Sequence, residues 1–112
     1  YNINKFREPG VPFHPKETGK LGYVFKVLGV RFYFAGDTDF IPEMSDLKDI
    51  TVAMLPIGGT YTMDVKEAAE AAKTINPKNV IPMHYNHIQG TNADPEQLKQ
   101  LLEGTGIQVH VL

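Results

Sequence analysis

The stretch RFYFAGDTDF, Arg31 to Phe40, decides the fold. Its first half is aromatic and β-branched, a composition that suits a strand packed on a pleated sheet. Ala35-Gly36 breaks the run, and Asp37 and Asp39 follow at once. Taking an unpaired carboxylate out of water is costly, so acids set against the end of a core strand need a partner. Two answers are open. Asp37 and Asp39 bond their own turn, as Asp commonly does in loops, or they face a cation.

Working outward, Tyr23 to Leu28 (YVFKVL) reads as the other arm of a hairpin with Val30 to Ala35, with Leu28-Gly29 at the turn. Glu43 to Leu47 reads as one short helical turn with Pro42 at its first position. Thr51 to Leu55 (TVAML) is nearly all apolar, as expected of a strand covered on both faces. It ends at Pro56 and enters IGGTYTM, which reads as a flexible loop. Asp64 with Glu67 three residues on is a capping-box pattern. The helix that follows places Val65, Ala68, Ala69, Ala72 and Ile75 on one stripe, with Lys66, Glu67, Glu70 and Lys73 opposite. Asn76-Pro77 ends it. Asn79 to Met83 (NVIPM) is a strand whose Pro82 stops pairing near its end. After a polar loop from His84 to Ala93, Asp94-Pro95 starts a second helix with Leu98, Leu101 and Leu102 on one face. Ile107 to Leu112 (IQVHVL) reads as a closing strand. Strands alternating with helices predict α/β layers.

The chain has 112 residues, enough for one core, and a formal net charge of −2, which gives no nucleic-acid footprint. It has no Cys, so disulfides and thiolate metal sites are excluded. No apolar run approaches the ~20 residues that span a bilayer, and no segment reads as a signal peptide, so a cytoplasmic location is expected. Residues 1–22 read as a long loop rich in Pro, Gly and charge, and 23–112 as the body of the domain. A sequence that opens inside such a loop reads as part of a larger protein.

Three loops follow the C-terminal ends of strands: GDTD after Ala35, PIGGTYTM after Leu55, and HYNH after Met83. Sites in α/β sheets collect at that edge. Gly36 lets the backbone turn ahead of Asp37, and Pro82-Met83 aims His84 from the end of a buried strand. Carboxylate and imidazole without sulfur suit zinc, manganese or iron. His84 alone also fits a hydrogen-bonded structural role. His14, between Phe13 and Pro15, is undecided, and His87 and His110 carry no ligand pattern. Met63 and Met83 read as packing residues.

Together, YFAGDTD, VAMLPIGGTYTM, EAAEAA and VIPMHYN, in this order, resemble the C-terminal half of the metallo-β-lactamase superfamily. They are similar to its ascorbate-6-phosphate lactonase-like branch of metal-dependent hydrolases. The resemblance implies an α/β fold: half of a four-layer αβ/βα sandwich, one mixed sheet covered by helices on one face. It implies two divalent ions per complete site, zinc or manganese with iron as a further candidate. Asp37 would bridge both ions, His84 would ligate the second, and His14, the one upstream imidazole, would be a third donor or else a substrate contact. Thr38, Asp39, Gly58, Gly59, Tyr61, Met63 and Tyr85 would line or brace the site, with Asp39 orienting a ligand.

The H-x-H-x-D-H motif of the superfamily's N-terminal half does not occur in this sequence. The resemblance therefore implies a segment of a hydrolase acting on a small ester, lactone or phosphoester. Alone, such a segment is expected to be inactive and to hold metal weakly or not at all. Its inner sheet face, carrying residues such as Val24, Phe32 and Val52 or their alternates along each strand, is expected to be bare. The partner is then the missing half or a second copy of the chain, the latter in a non-catalytic, self-associating module. Neither a membrane nor a nucleic acid is expected as a partner.

Overall fold

Val27 and Val30 pair across Leu28-Gly29, closing a two-residue hairpin between β3 (Tyr23–Val27) and β4 (Val30–Phe34). Leu28 and Gly29 both have positive φ, 50° and 83°, the twist that short hairpin turns demand. The computed structural model describes residues 1–112. Beyond β4 come β5 (Val52–Pro56), α1 (Val65–Ile75), β6 (Asn79–Met83), α2 (Pro95–Leu101) and β7 (Gln108–Val109). Ahead of the sheet lie β1 (Phe6–Glu8) and β2 (Val11–Pro12).

The main sheet has the order β3-β4-β5-β6-β7. β3 and β4 run antiparallel, and every later pair is parallel. One face carries Tyr33, Ala53, Leu55 and Val80, all buried, and both helices pack there. α1 fits close because its stripe is alanine: Ala68, Ala69, Ala71 and Ala72 are all buried beside Val65 and Ile75. Its capping box is formed in both directions, Glu67 N–H to Asp64 at 2.8 Å and Asp64 N–H to Glu67 at 2.8 Å.

The other face has no helical cover. Register places Tyr23, Phe25, Phe32, Phe34, Val52 and Met54 on it. Phe25 and Phe32 stack with ring centroids 5.1 Å apart. Val24, expected on this face, pairs with Tyr33 and so lies on the helix side. Alternation along β3 sets this, because a residue opposite Tyr33 must share its face.

Three other expectations are corrected. Residues 1–22 are not a plain loop: β1 and β2 form a small antiparallel hairpin, and Lys16–Thr18 makes a 3-10 turn. The closing strand is two residues long, not six, pairing only with Asn79 and Val80 of β6. Pro82 has no N–H to extend that ladder. The loop after β5 is held rather than loose: Gly59 N–H donates to Met63 O at 3.0 Å, Thr62 N–H to Gly59 O at 3.1 Å, and Met63 N–H to Thr38 O at 2.9 Å.

Candidate metal centre

Asp37 leaves the end of β4 just after Gly36, and His84 leaves the end of β6. Because β5 lies between these strands, the two side chains project from one sheet edge. There His84 Nδ1 meets Asp37 Oδ1 at 2.6 Å. Nδ1 and the carboxylate thus face one another, so these are the donor atoms the two residues offer to a shared cation. His14 Nε2 lies 3.7 Å from the other carboxylate oxygen, Asp37 Oδ2. Asp37 and His84 are about half exposed, and His14 is more covered. Desolvation holds the His14 imidazole below its usual pKa, outweighing the opposing pull of Asp37. The neutral ring is the form that ligates metals.

The backbone at His84 is unusual. Its φ is 57°, and that of Asn86 is 61°, a region that side chains with a Cβ seldom adopt. Gly58 makes room for this turn. A Cβ on Gly58 would overlap the His84 carbonyl oxygen and lie 3.0 Å from the Cβ of Thr91.

His14 reaches Asp37 through a clamp that sequence reasoning missed. Asp39 is fully buried and touches neither histidine. Its Oδ2 accepts from the N–H groups of Ile3 (2.7 Å), Asn4 (2.7 Å) and Lys5 (3.2 Å). Its Oδ1 accepts from Asn2 Nδ2 at 3.0 Å. The buried Asn2 then holds His14 by its main chain: His14 N–H donates to Asn2 Oδ1 at 2.6 Å, and Asn2 N–H donates to His14 O at 3.0 Å. Asp39 thus orients a candidate ligand at one remove, through a neighbouring strap of backbone. No local pattern marks Asn2; its partners are a dozen or more positions away.

The other expected residues are dispersed. Tyr61 lines the cavity beside the Asp37–His84 pair. Thr38 is buried and donates its hydroxyl to Tyr1 O at 3.0 Å. Gly59 shapes the loop turn, while Met63 is a fully buried core residue and Tyr85 packs against the core. His87, given no role from sequence, lines the same cavity. His110 lies elsewhere, with its Nε2 2.7 Å from Asn79 Oδ1.

No set of three or more His, Asp or Glu encloses a common centre, so Asp37, His14 and His84 form an open cluster rather than a cage. Their chemistry fits part of a divalent-cation sphere: one carboxylate and two imidazoles at an accessible edge.

Residues 1–84 match the beta-lactamase superfamily domain. The chain belongs to the metallo-β-lactamase superfamily. A metal-dependent hydrolase of Pyrococcus furiosus is 47% identical over 85 residues, covering 72% of this chain and 38% of that protein. A solved metallo hydrolase of Ignicoccus hospitalis superposes with a TM-score of 0.75 at 41% identity, covering 81% of this chain and 41% of that one. A Thermotoga maritima structure described as belonging to the metallo-beta-lactamase superfamily gives 0.64 at 26% identity, covering 79% and 56%. This superfamily chain therefore spans well under half the length of the curated relatives it matches. No helix in it is long and apolar enough to cross a membrane.

Proposed function

We propose that this chain is the C-terminal metal-binding segment of a metal-dependent hydrolase for esters, lactones or phosphoesters. The observation that carries the reading is the convergence of His14, Asp37 and His84 at one sheet edge, from segments 23 and 47 positions apart in the chain (37 − 14 and 84 − 37). Asp37, His84 and His14 would hold the cation, zinc or manganese, with iron also suited to the donors. When bound, such an ion supplies Lewis acidity, polarising an acyl or phosphoryl oxygen and acidifying water. Hydrolysis then joins a water oxygen to the acyl carbon or phosphorus and breaks the bond to the leaving oxygen, which takes up a proton. The strap anchored on Asp39 keeps His14 within reach of the other two. Donors beyond these three come, in this reading, from a longer protein of which the chain is part.

The test is metal content and ester or lactone turnover in the full-length protein, with Asp37→Asn and His84→Gln. Each substitution is expected to cut both by about a hundredfold or more, since even supporting residues of metal sites cost up to that much. Unchanged metal and turnover in both variants would overturn the assignment.

The uncovered sheet face favours a further element of this reading. Tyr23, Phe25 and Val27 are all substantially exposed on β3, and an apolar face of this kind needs a cover. We assign that cover to the remainder of the longer protein, with a second copy of the chain as the competing occupant.

A further inference from the structure

The cavity beside the Asp37–His84 pair has a volume of about 700 Å³, and its lining includes Arg7, Phe13 and Tyr61. Arg7 is exposed on β1, and its guanidinium carbon lies 5.8 Å from the centre of the Phe13 ring. Phe13 in turn meets Tyr61 edge-on, with centroids 4.8 Å apart and planes at 82°. The strand that carries Arg7 is tied down just before it. Lys5 reaches both carboxylate oxygens of Glu67, at 2.6 and 2.7 Å, and the amides of residues 3–5 sit on Asp39.

Every other close ion pair in the chain involves a lysine or a histidine; Arg7 has no carboxylate partner. Its forked donors therefore stand unused at the wall of the cavity that contains the candidate centre. An arginine held over an aromatic ring keeps its donor edge open to a carboxylate or phosphate, which it can grip with two parallel hydrogen bonds. His87 adds a second donor on the same cavity.

We propose that Arg7 binds an anionic group of the substrate, so that the hydrolysed ester, lactone or phosphoester carries a second, non-reacting carboxylate or phosphate. This rests on the hydrolase reading, because it takes the cavity to be the substrate site. The Phe13–Tyr61 wall then contacts the apolar part between that anion and the reacting bond.

The test uses the full-length protein with Arg7→Ala and Arg7→Lys, checked for unchanged thermal unfolding. Binding of inorganic phosphate and of succinate is measured by calorimetry on metal-free protein, so that the anions report on the chain's own donors. KM is measured on metal-loaded protein with 4-nitrophenyl hemisuccinate and 4-nitrophenyl acetate, an anionic and a neutral ester of one leaving group. Arg7→Ala should weaken anion binding about tenfold or more, as expected for loss of charge-assisted hydrogen bonds, and Arg7→Lys should restore part of it. It should raise KM for the hemisuccinate by a similar factor and leave the acetate and kcat unchanged. Phosphate responding more than succinate identifies a phosphorylated substrate, and the reverse a carboxylated one. Unaltered binding of both anions, or equal changes for both esters, would overturn the role of Arg7 while leaving the hydrolase intact. Arg7-dependent anion binding in a metal-loaded protein that turns over neither ester, nor a lactone, nor 4-nitrophenyl phosphate would instead keep the anion site and remove the hydrolase reading.

Discussion

A methyl group on Gly58 would run into the main-chain oxygen of His84, a residue already held at φ 57°. The two residues constrain each other. The left-handed turn swings the His84 carbonyl towards the loop after β5, and only a side chain of one hydrogen leaves it space. The nearest obstacle is backbone and the next is the Cβ of Thr91, so neither can yield by a rotamer change. Gly58→Ala must therefore displace the end of β6 or the loop. We expect about 1–3 kcal/mol of lost stability, the usual cost of overpacking. In the full-length protein, on the proposed hydrolase reading, we also expect a fall in turnover of about tenfold to a hundredfold, because a shift of the order of an ångström at a ligand such as His84 costs that much. Thermal unfolding and kcat of the variant check this, and a variant matching wild type in both would show that the loop relaxes freely. Gly59 offers a contrast: a Cβ there would make only an ordinary 3.6 Å contact, so its φ of 94° rather than crowding is what calls for glycine.

At the scale of elements, the strap of residues 1–14 depends on one buried carboxylate. Asp39 accepts from three main-chain amides and one side-chain amide; the side-chain donor, Asn2 Nδ2, also reaches Tyr61 O at 2.9 Å, but the three main-chain amides bond no other acceptor. Asp39→Ala strands the three main-chain donors, which are partly covered, and each costs about 1–3 kcal/mol to the extent that water cannot enter. Amide exchange at Ile3, Asn4 and Lys5 should accelerate by at least about tenfold, while protection in α1 is retained. Protection unchanged at those three amides would mean that the hairpin and the Lys5–Glu67 pair hold the strap without Asp39. α1 was legible in the sequence because its signals are local: a capping box and an alanine stripe at helical spacing, all within a dozen residues. β3 to β6 were legible for the same reason, each being an apolar run between clear breaks. The hairpin of β1 and β2 was not, since strands of three and two residues are too short to show a period. Asp37 and His84 stood out because each follows a strand end. Asn2 and Arg7 did not, because their roles arise only once Asp39 and Phe13 bring distant segments together.

For the whole molecule, the unresolved balance is between its two sheet faces. The helix side buries Leu55, Val80, Leu98 and alanines of α1 almost completely. The opposite side leaves Phe25 exposed, stacked on a half-buried Phe32 that continues into half-buried Val52 and Met54. β3 is also an edge strand, with Tyr23, Val24, Phe25 and Val27 all exposed and Lys26 the lone charge along it. A long apolar edge with so little protection pairs readily with other chains. Removing apolar surface from water is worth about 25 cal/mol per Å², so covering even a few hundred Å² offsets several kcal/mol of association cost. The chain on its own should therefore self-associate at micromolar concentration, through the same face that the rest of a longer protein would cover. Sedimentation velocity of the 112-residue chain should show dimers or larger species. Phe25→Lys together with Val27→Glu should return it to monomer without loss of α1 helicity. The full-length protein should not bury that face a second time, so the same pair of substitutions there should destabilise the fold instead of changing its assembly. A wild-type chain that stays monomeric across the concentration range would mean that the exposed aromatics are tolerated as surface, and the face would lose its claim to a partner.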